Sequence, residues 1–304
     1  MDGGGSKTVC AVATPYGVEL GRATTGPSNY QAVGLDTAAT RVREAMQAAV
    51  EDACRRTGGE IEIVGRCLAL AGVARPEDHQ AWRGVLPTLP GGEGPVAITH
   101  DAMAALVGGT GRKLGVVAIA GTGAIALGVN AHGEERRASG WGYVLGDEGS
   151  GYAIGLAGLR AVCRAADGRG AETALTDRVV RKHGLDRLQA LVRLVYGEWK
   201  PADIAANAPL VLRAAEDGDS VARAIVEDAA AELALASTAV IRGIGLAEEP
   251  VEVVTVGGLW DASPLLQERF AAHVRDSVPR VEVIRPRGEP VTGAVLLARE
   301  AAGG

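Results

Sequence analysis

Asp2-Gly3-Gly4-Gly5-Ser6-Lys7-Thr8 is the stretch around which the rest of the chain is organised. Three consecutive glycines do not serve a strand, because glycine weakens a strand interior. They suit a backbone that bends sharply and comes close to something. A hairpin turn of this composition offers backbone N–H groups, a hydroxyl and an ammonium to an anion. Asp2, just ahead of it, can hold a cation by way of water. The stretch is not a Walker A loop, which needs G-x-x-x-x-G-K-[ST]; here Lys7 follows Ser6. A Gly-rich terminal tail is the plain alternative, and these residues alone leave the two readings open.

Working outward, 8–13 and 18–25 read as strands around a Pro15-Tyr16-Gly17 turn, and Gly26-Pro27-Ser28-Asn29-Tyr30 as a loop. Asp36 looks like the N-cap of a helix in which Ala38, Val42, Ala45, Met46, Ala49, Val50 and Ala53 recur at helical spacing, ended by Gly58-Gly59. Residues 61–71 read as a strand, 77–86 as a short helix and 95–99 as a short strand. Asp101 then stands where a strand ends and a helix begins. Gly108-Gly109-Thr110-Gly111 reads as a hinge or boundary. Beyond it the opening pattern returns: an apolar strand at 114–120, the turn Gly121-Thr122-Gly123, and a second strand at 124–129. Two strand–Gly turn–strand units, one opening each half, suggest a duplicated domain. A long Gly-rich loop at 140–155 leads into a helical region to about 240. A strand at 251–256 ends in Gly257-Gly258, Ser263-Pro264 starts a helix, 281–284 is a last strand, and Glu289 or Pro290 opens a closing helix. Strands alternating with helices imply an α/β fold with mixed sheets, and a ligand between the halves would be touched by both Gly turns.

Composition bounds the function. The 304 residues allow two domains of ordinary size. One Phe, four Trp and five Tyr are too few for a base-stacking surface, and a net charge of −6 supplies no basic field, so a nucleic-acid partner is not expected. No long apolar run or signal peptide is visible, so no membrane partner is expected and the cytoplasm is the expected compartment. Cys10, Cys54, Cys67 and Cys163 are widely spaced, and the five histidines form no metal-binding pattern.

Each chemical candidate has a structural competitor. Asp101 can accept a proton from a substrate hydroxyl, but an Asp ahead of a helix is more often its N-cap. Gly121-Thr122-Gly123 can hold a second phosphate or be a plain hairpin turn. The loop with Trp141, Tyr143, Asp147, Glu148 and Ser150 is too long for a simple connection; its acids and hydroxyls can bind sugar hydroxyls, while Asp147 and Ser150 can also cap the next helix. Ser28 and Asn29 are explained equally by turn formation. Gly257-Gly258 permits close approach of a flat ring, or is a simple strand-to-helix turn.

It is the order of these elements that is specific. The chain resembles the BadF/BadG/BcrA/BcrD ATPase family, and within it the N-acetylglucosamine kinase-like members of the sugar kinase, Hsp70 and actin superfamily. The most specific match is Gly140-Trp141-Gly142 with Leu145-Gly146-Asp147-Glu148-Gly149-Ser150. The resemblance implies two ribonuclease-H-like domains, 1–108 and 109–288, with the helix at 289–304 packing back on the first, and a cleft that closes on ATP, Mg²⁺ and sugar. It implies transfer of the γ-phosphoryl group of ATP to the 6-hydroxyl of N-acetylglucosamine or glucosamine. Asp101 would be the base, and Asp2 would organise Mg²⁺ through water. Gly4, Gly5, Ser6 and Lys7 with Gly121, Thr122 and Gly123 would hold phosphates, and Gly257 and Gly258 would face the adenosine. Asn29, Asp101, Asp147, Glu148 and Ser150 would bind the sugar. A homodimer is expected by analogy alone.

Two departures stand out. The family has several apolar residues ahead of its first Asp, so the first strand here is expected to be unusually short or to start upstream. The cysteines that bridge the acyl-CoA dehydratase and reductase activators are not matched, which disfavours the alternative reading of an ATPase that drives a partner enzyme. The intact Asp101 and both Gly turns disfavour a third, a catalytically idle sugar binder.

Overall fold

The computed structural model describes residues 1–92 and 94–303. The first half runs β1 (Asp2–Gly3), β2 (Thr8–Ala13), β3 (Glu19–Thr25), α1 (Tyr30–Val33), α2 (Leu35–Thr57), β4 (Arg66–Leu70), α3 (Pro76–Val85), β5 (Val96–Thr99) and α4 (Asp101–Thr110). The second runs β6 (Gly115–Ala120), β7 (Ala124–Val129), β8 (Glu135–Ser139), α5 (Gly151–Ala166), α6 (Leu175–His183), α7 (Ala190–Arg193), α8 (Pro201–Ala205), α9 (Ala208–Glu216), α10 (Ser220–Gly243), β9 (Val251–Val256), α11 (Gly258–Ala262), α12 (Pro264–Ser277) and β10 (Val281–Ile284), and α13 (Pro290–Ala301) closes the chain. Contacts divide it into two compact units, Met1–Leu114 with Pro286–Gly304, and Gly115–Arg285. Among the described residues no helix is long and apolar enough to cross a membrane.

The first unit holds a five-stranded sheet in the order β3-β2-β1-β4-β5. β2 is antiparallel to β1 and to β3, while β1, β4 and β5 are parallel. Four strands therefore point one way, and the carboxyl ends of β1, β3, β4 and β5 share one edge. The second unit repeats this arrangement: its order is β10-β9-β6-β7-β8, with β6, β9 and β10 parallel and β7 antiparallel to β6 and β8. Replacing β1 to β5 by β6 to β10 converts one sheet into the other, so the duplication suggested by the two Gly turns extends over whole sheets. In open sheets of this kind ligands bind at the carboxyl ends of the parallel strands.

Burial follows the pattern read from the residues. In α2 the buried positions are Ala38, Ala39, Val42, Ala45, Met46, Ala49 and Ala53, one helical face packed on β2 and β3. Small side chains let it lie close, and a Cβ at Gly21 would come 2.9 Å from Ala53 Cα. In the second unit Trp260 is buried against Phe270, ring centroids 4.8 Å apart, and its Nε1–H donates to the Ala118 carbonyl at 3.1 Å.

Four local readings change. The helix at 35 is capped by Gly34, with φ +82°, and Asp36 lies in its first turn. The strand expected over 61–71 is confined to Arg66–Leu70, because β5 pairs with it over Arg66–Ala69 and the two-residue β1 over Ala69 and Leu70. Gly108-Gly109-Thr110 is no hinge but the buried end of α4, with Gly111 as its left-handed cap at φ +75°. Gly108 is there for α13: side chains at Gly108 and Gly293 would collide with the backbones of Glu289 and Ala104. Finally, Glu135–Ser139 forms an edge strand that its charged sequence conceals.

Candidate functional site

In the first unit the site is built at the shared carboxyl edge of the sheet. The β1–β2 connection is a tight hairpin in which the Gly4 N–H donates to the Lys7 carbonyl at 2.9 Å. That amide is committed to the hairpin, while Gly5, Ser6 and Lys7 are exposed at its tip. Gly3 is required for another reason: a Cβ there would collide with Leu70 and Ser28. Ser28, fully buried, is bound by the Thr8 hydroxyl at 2.8 Å, and its N–H donates to the Gly4 carbonyl at 3.2 Å. The glycine turn and the 26–29 loop are therefore one structure. Asn29 caps α1, its Oδ1 accepting from the Gln31 N–H at 3.1 Å. The Gln31 amide in turn donates to the Gly72 carbonyl at 3.0 Å. Gly72, just past β4, has φ +81°, and a Cβ on it would lie 2.7 Å from Asn29 Oδ1.

Asp101 follows β5. It is not the cap of α4: His100 is, its Nδ1 accepting from the Met103 N–H at 3.2 Å. Asp101 Oδ1 accepts from the adjacent Ala102 N–H at 2.9 Å. The carboxylate is thus relieved of the role that most often explains an Asp at a helix start. Burial pushes its pKa up, against the opposing pull of His100 and the nearby backbone N–H groups. Asp2, at the end of β1, is pushed up to about 6, first by burial and then by the charge of Asp101, with the Met1 amino group and Lys7 opposing. Two half-buried carboxylates, one of which raises the cost of ionising the other, form a place where a cation is favoured. Mg²⁺ needs few protein ligands when phosphates and water supply the rest. Among the described residues no cluster of three or more His, Cys, Asp or Glu side chains is placed to hold a metal ion, and the Asp2–Asp101 pair fits the sparser kind of site.

The second unit carries the other candidates, again at carboxyl ends. Thr122 is exposed at the tip of the β6–β7 turn, in which the Gly121 N–H donates to the Gly123 carbonyl at 2.9 Å. The loop at 140–150 is bolted to that turn: Gly151 N–H donates to Gly121 O at 2.8 Å and Tyr152 N–H to Thr122 O at 3.2 Å. Asp147 lies in the left-handed region at φ +58° and is only 9% exposed. Burial raises its pKa, while N–H groups of Ala124 and Gly142 pull it down. Ser150 is fully buried and its Oγ accepts from Ala153 N–H at 3.2 Å, so it serves as the cap of α5. Glu148 is exposed, as is Trp141, over which Arg137 sits 5.3 Å from the ring centroid. Gly257, at φ +118°, is the N-cap of α11 and passes so close behind Ala120 that any side chain would strike its carbonyl; Gly258 faces open space.

Within each unit, then, the expected residues converge. Asp2, the glycine hairpin, Asn29 and Asp101 share one sheet edge, and Gly121–Gly123, the 140–151 loop and Gly257-Gly258 share another. The sequence reading did not assign Gln31 and Gly72, although a glycine directly after a strand was the available signal, nor the capping role of His100, which histidine rarely takes. A groove of about 740 Å³ in the first unit, lined by Val12, Leu20, Ile63 and Ala298 among others, lies at the opposite edge of the sheet and is apolar.

The sequence profile of the BadF/BadG/BcrA/BcrD ATPase family matches residues 1–298. An N-acetyl-D-glucosamine kinase of Dictyostelium discoideum is 34% identical, over 98% of this chain and 96% of that protein. An N-acetylmuramic acid/N-acetylglucosamine kinase of Clostridium acetobutylicum is 31% identical, over 98% and 97%. A solved structure from Chromobacterium violaceum that carries the N-acetylglucosamine kinase name superposes with a TM-score of 0.78 at 28% identity, covering 98% of this chain and 96% of that one. A glucokinase from Streptomyces griseus shares the fold, with a TM-score of 0.59 at 19% identity over 98% of both chains. The chain belongs to the BadF/BadG/BcrA/BcrD ATPase family.

Proposed function

We propose that the protein is an amino-sugar kinase that transfers the γ-phosphoryl group of ATP to the 6-hydroxyl of N-acetylglucosamine, with glucosamine as second substrate. The observation that carries this reading is Asp101: a half-buried carboxylate at a strand end, relieved of helix capping by His100, beside the carboxylate of Asp2. The names of the relatives, N-acetylglucosamine kinase at 34% and 31% identity, support the substrate class.

In phosphoryl transfer the protein mainly positions groups and neutralises charge. Asp101 orients the sugar hydroxyl and accepts its proton as the oxygen bonds to phosphorus. Its raised pKa brings it closer to the basicity such a step needs. Lys7 and Ser6 at the hairpin tip, and Thr122 at the second turn, offer donors to phosphate oxygens. Asn29, fixed against Gly72, presents its amide to the sugar, with Glu148 a second contact. Gly258, open on its outer face, leaves room for the adenosine. Mg²⁺, organised by Asp2 through water, would neutralise charge between the phosphates.

The test is ADP release measured with and without a panel of amino sugars. Release that depends on N-acetylglucosamine supports the kinase. Equal release without sugar points to an ATPase that drives a partner, and no release at all to an idle binder.

A further inference from the structure

The two most distinctive motifs of the second unit are one mechanical piece, and Asp147 is its joint. The backbone bonds from Gly151 to Gly121 and from Tyr152 to Thr122 fix the end of the 140–150 loop to the second Gly turn. The start of the loop follows β8, whose Ser139 pairs with Ile125 just past the turn, and Asp147 adds a link from the middle of the loop. That side chain reaches back so far that a Cβ on Gly123 would lie 2.9 Å from Asp147 Oδ2. The N–H groups that favour its ionised form come from both sides of the joint, Ala124 just after the turn and Gly142 inside the loop. The backbone is shaped for this reach, since Asp147 stands at φ +58°, a region that Asp tolerates better than most residues. Packing adds to the tie: the rings of Tyr143 in the loop and Tyr152 in α5 lie 4.8 Å apart. Gly123 and Asp147 thus fit as a pair, a residue without a side chain facing a carboxylate that fills its place.

We infer that Asp147 is a positioning residue for the Gly121–Gly123 turn, so that the affinity of the turn for nucleotide phosphates depends on Asp147 even when no sugar is present. This rests on the reading of that turn as a phosphate holder. It goes beyond the role the resemblance implies, in which Asp147 binds the sugar. A carboxylate that served sugar alone would leave nucleotide binding untouched in the absence of sugar. One that holds the shape of the turn does not. The link also runs the other way: what binds to the loop reaches the turn through this carboxylate, so sugar and nucleotide affinities are coupled through it.

The experiment is calorimetric binding of ATP with Mg²⁺, without sugar, to the full chain and to Asp147→Ala, Asp147→Asn, Gly123→Ala, the Gly123→Ala/Asp147→Ala double variant and Gly121→Val. Removing the carboxylate is expected to weaken ATP about tenfold, the range of an ordinary coupling between sites. Asp147→Asn, which keeps one acceptor oxygen and tolerates the same backbone, loses less and serves where the alanine variant does not fold. Gly123→Ala weakens ATP by pressing on the carboxylate, and the double variant is no weaker than Asp147→Ala alone, because the clash is gone. ATP affinity unchanged in both Asp147 variants, or fully additive losses in the double variant, overturns the proposal. Gly121→Val separates it from its foundation: a side chain there enters open space. If that variant binds ATP normally, the turn holds no phosphate. If it does not, while Asp147→Ala does, only the positioning role fails.

Discussion

Replacing Asp101 by Asn separates catalysis from stability in a way the structure makes quantitative. The amide keeps an oxygen where Asp101 Oδ1 accepts from Ala102 N–H, and His100 continues to cap α4, so no hydrogen bond of the first turn is lost. The charge is lost, and it is a charge the fold disfavours. Burial raises the Asp101 pKa, so the folded protein holds that carboxylate ionised at neutral pH only at a cost. Asn carries no such cost, and the variant is expected to melt at or above the temperature of the parent protein. Phosphoryl transfer moves the other way. A positioned general base is worth about 10²- to 10⁴-fold, or about 3–5 kcal/mol of barrier. ADP release at saturating ATP and N-acetylglucosamine should fall by that factor, while calorimetric ATP affinity stays within about twofold. The assay pairs initial rates with a thermal melt on the same preparation. Turnover within about tenfold of the parent would remove Asp101 from the role of base. A melting temperature lowered by several degrees would show that the carboxylate serves the fold instead.

Three further outcomes follow from the same geometry. Asp2 is pushed up to about 6, so the folded state holds its proton more tightly than the unfolded chain does. The resulting stability, on the order of 3 kcal/mol, is fully present below about pH 4 and is lost as the pH rises through 6; Asp2→Asn should flatten the fall of melting temperature over that window, and Mg²⁺ with ATP should offset it at neutral pH. His100→Ala strips the acceptor from Met103 N–H and should cost about 1 kcal/mol of stability, as other lost caps do, with His100→Asn restoring most of it in a urea titration. Gly293→Val forces α13 away from Ala104 and should destabilise the first unit by at least about 1–3 kcal/mol, seen as a lower first transition in calorimetry, whereas Gly84→Ala, in open space on α3, should not.

The parts of this protein that were legible in its sequence are those where one residue type has one main use. A glycine turn after an apolar strand announced β6, and the recurrence of the opening glycine turn announced the duplicated sheets, because close approach and sharp bending leave few alternatives to glycine. The apolar face of α2 was legible through its spacing. Contacts between distant segments were not. Gly108-Gly109 had the composition of a hinge, and only the arrival of α13 from the far end of the chain makes Gly108 a helix contact. Residues 61–65 have strand chemistry but lack strand neighbours, which a local pattern does not reveal. At the site, an Asp before a helix was weighed as a cap because Asp caps helices; that His100 takes the amide instead depends on a side-chain rotamer. The acidic loop was recognised by its residues, but the inward turn of Asp147 toward Gly123 is a tertiary fact.

If the chain phosphorylates an amino sugar, both products of one reaction can be followed together. ATP, Mg²⁺ and N-acetylglucosamine are incubated with the protein, ADP is quantified, and the sugar is examined by phosphorus and carbon NMR. The expected result is one ADP per sugar phosphate, with the phosphate on the 6-oxygen, and ADP release that falls to background when the sugar is omitted. ADP release at the same rate without sugar, with free phosphate as the product, would contradict it.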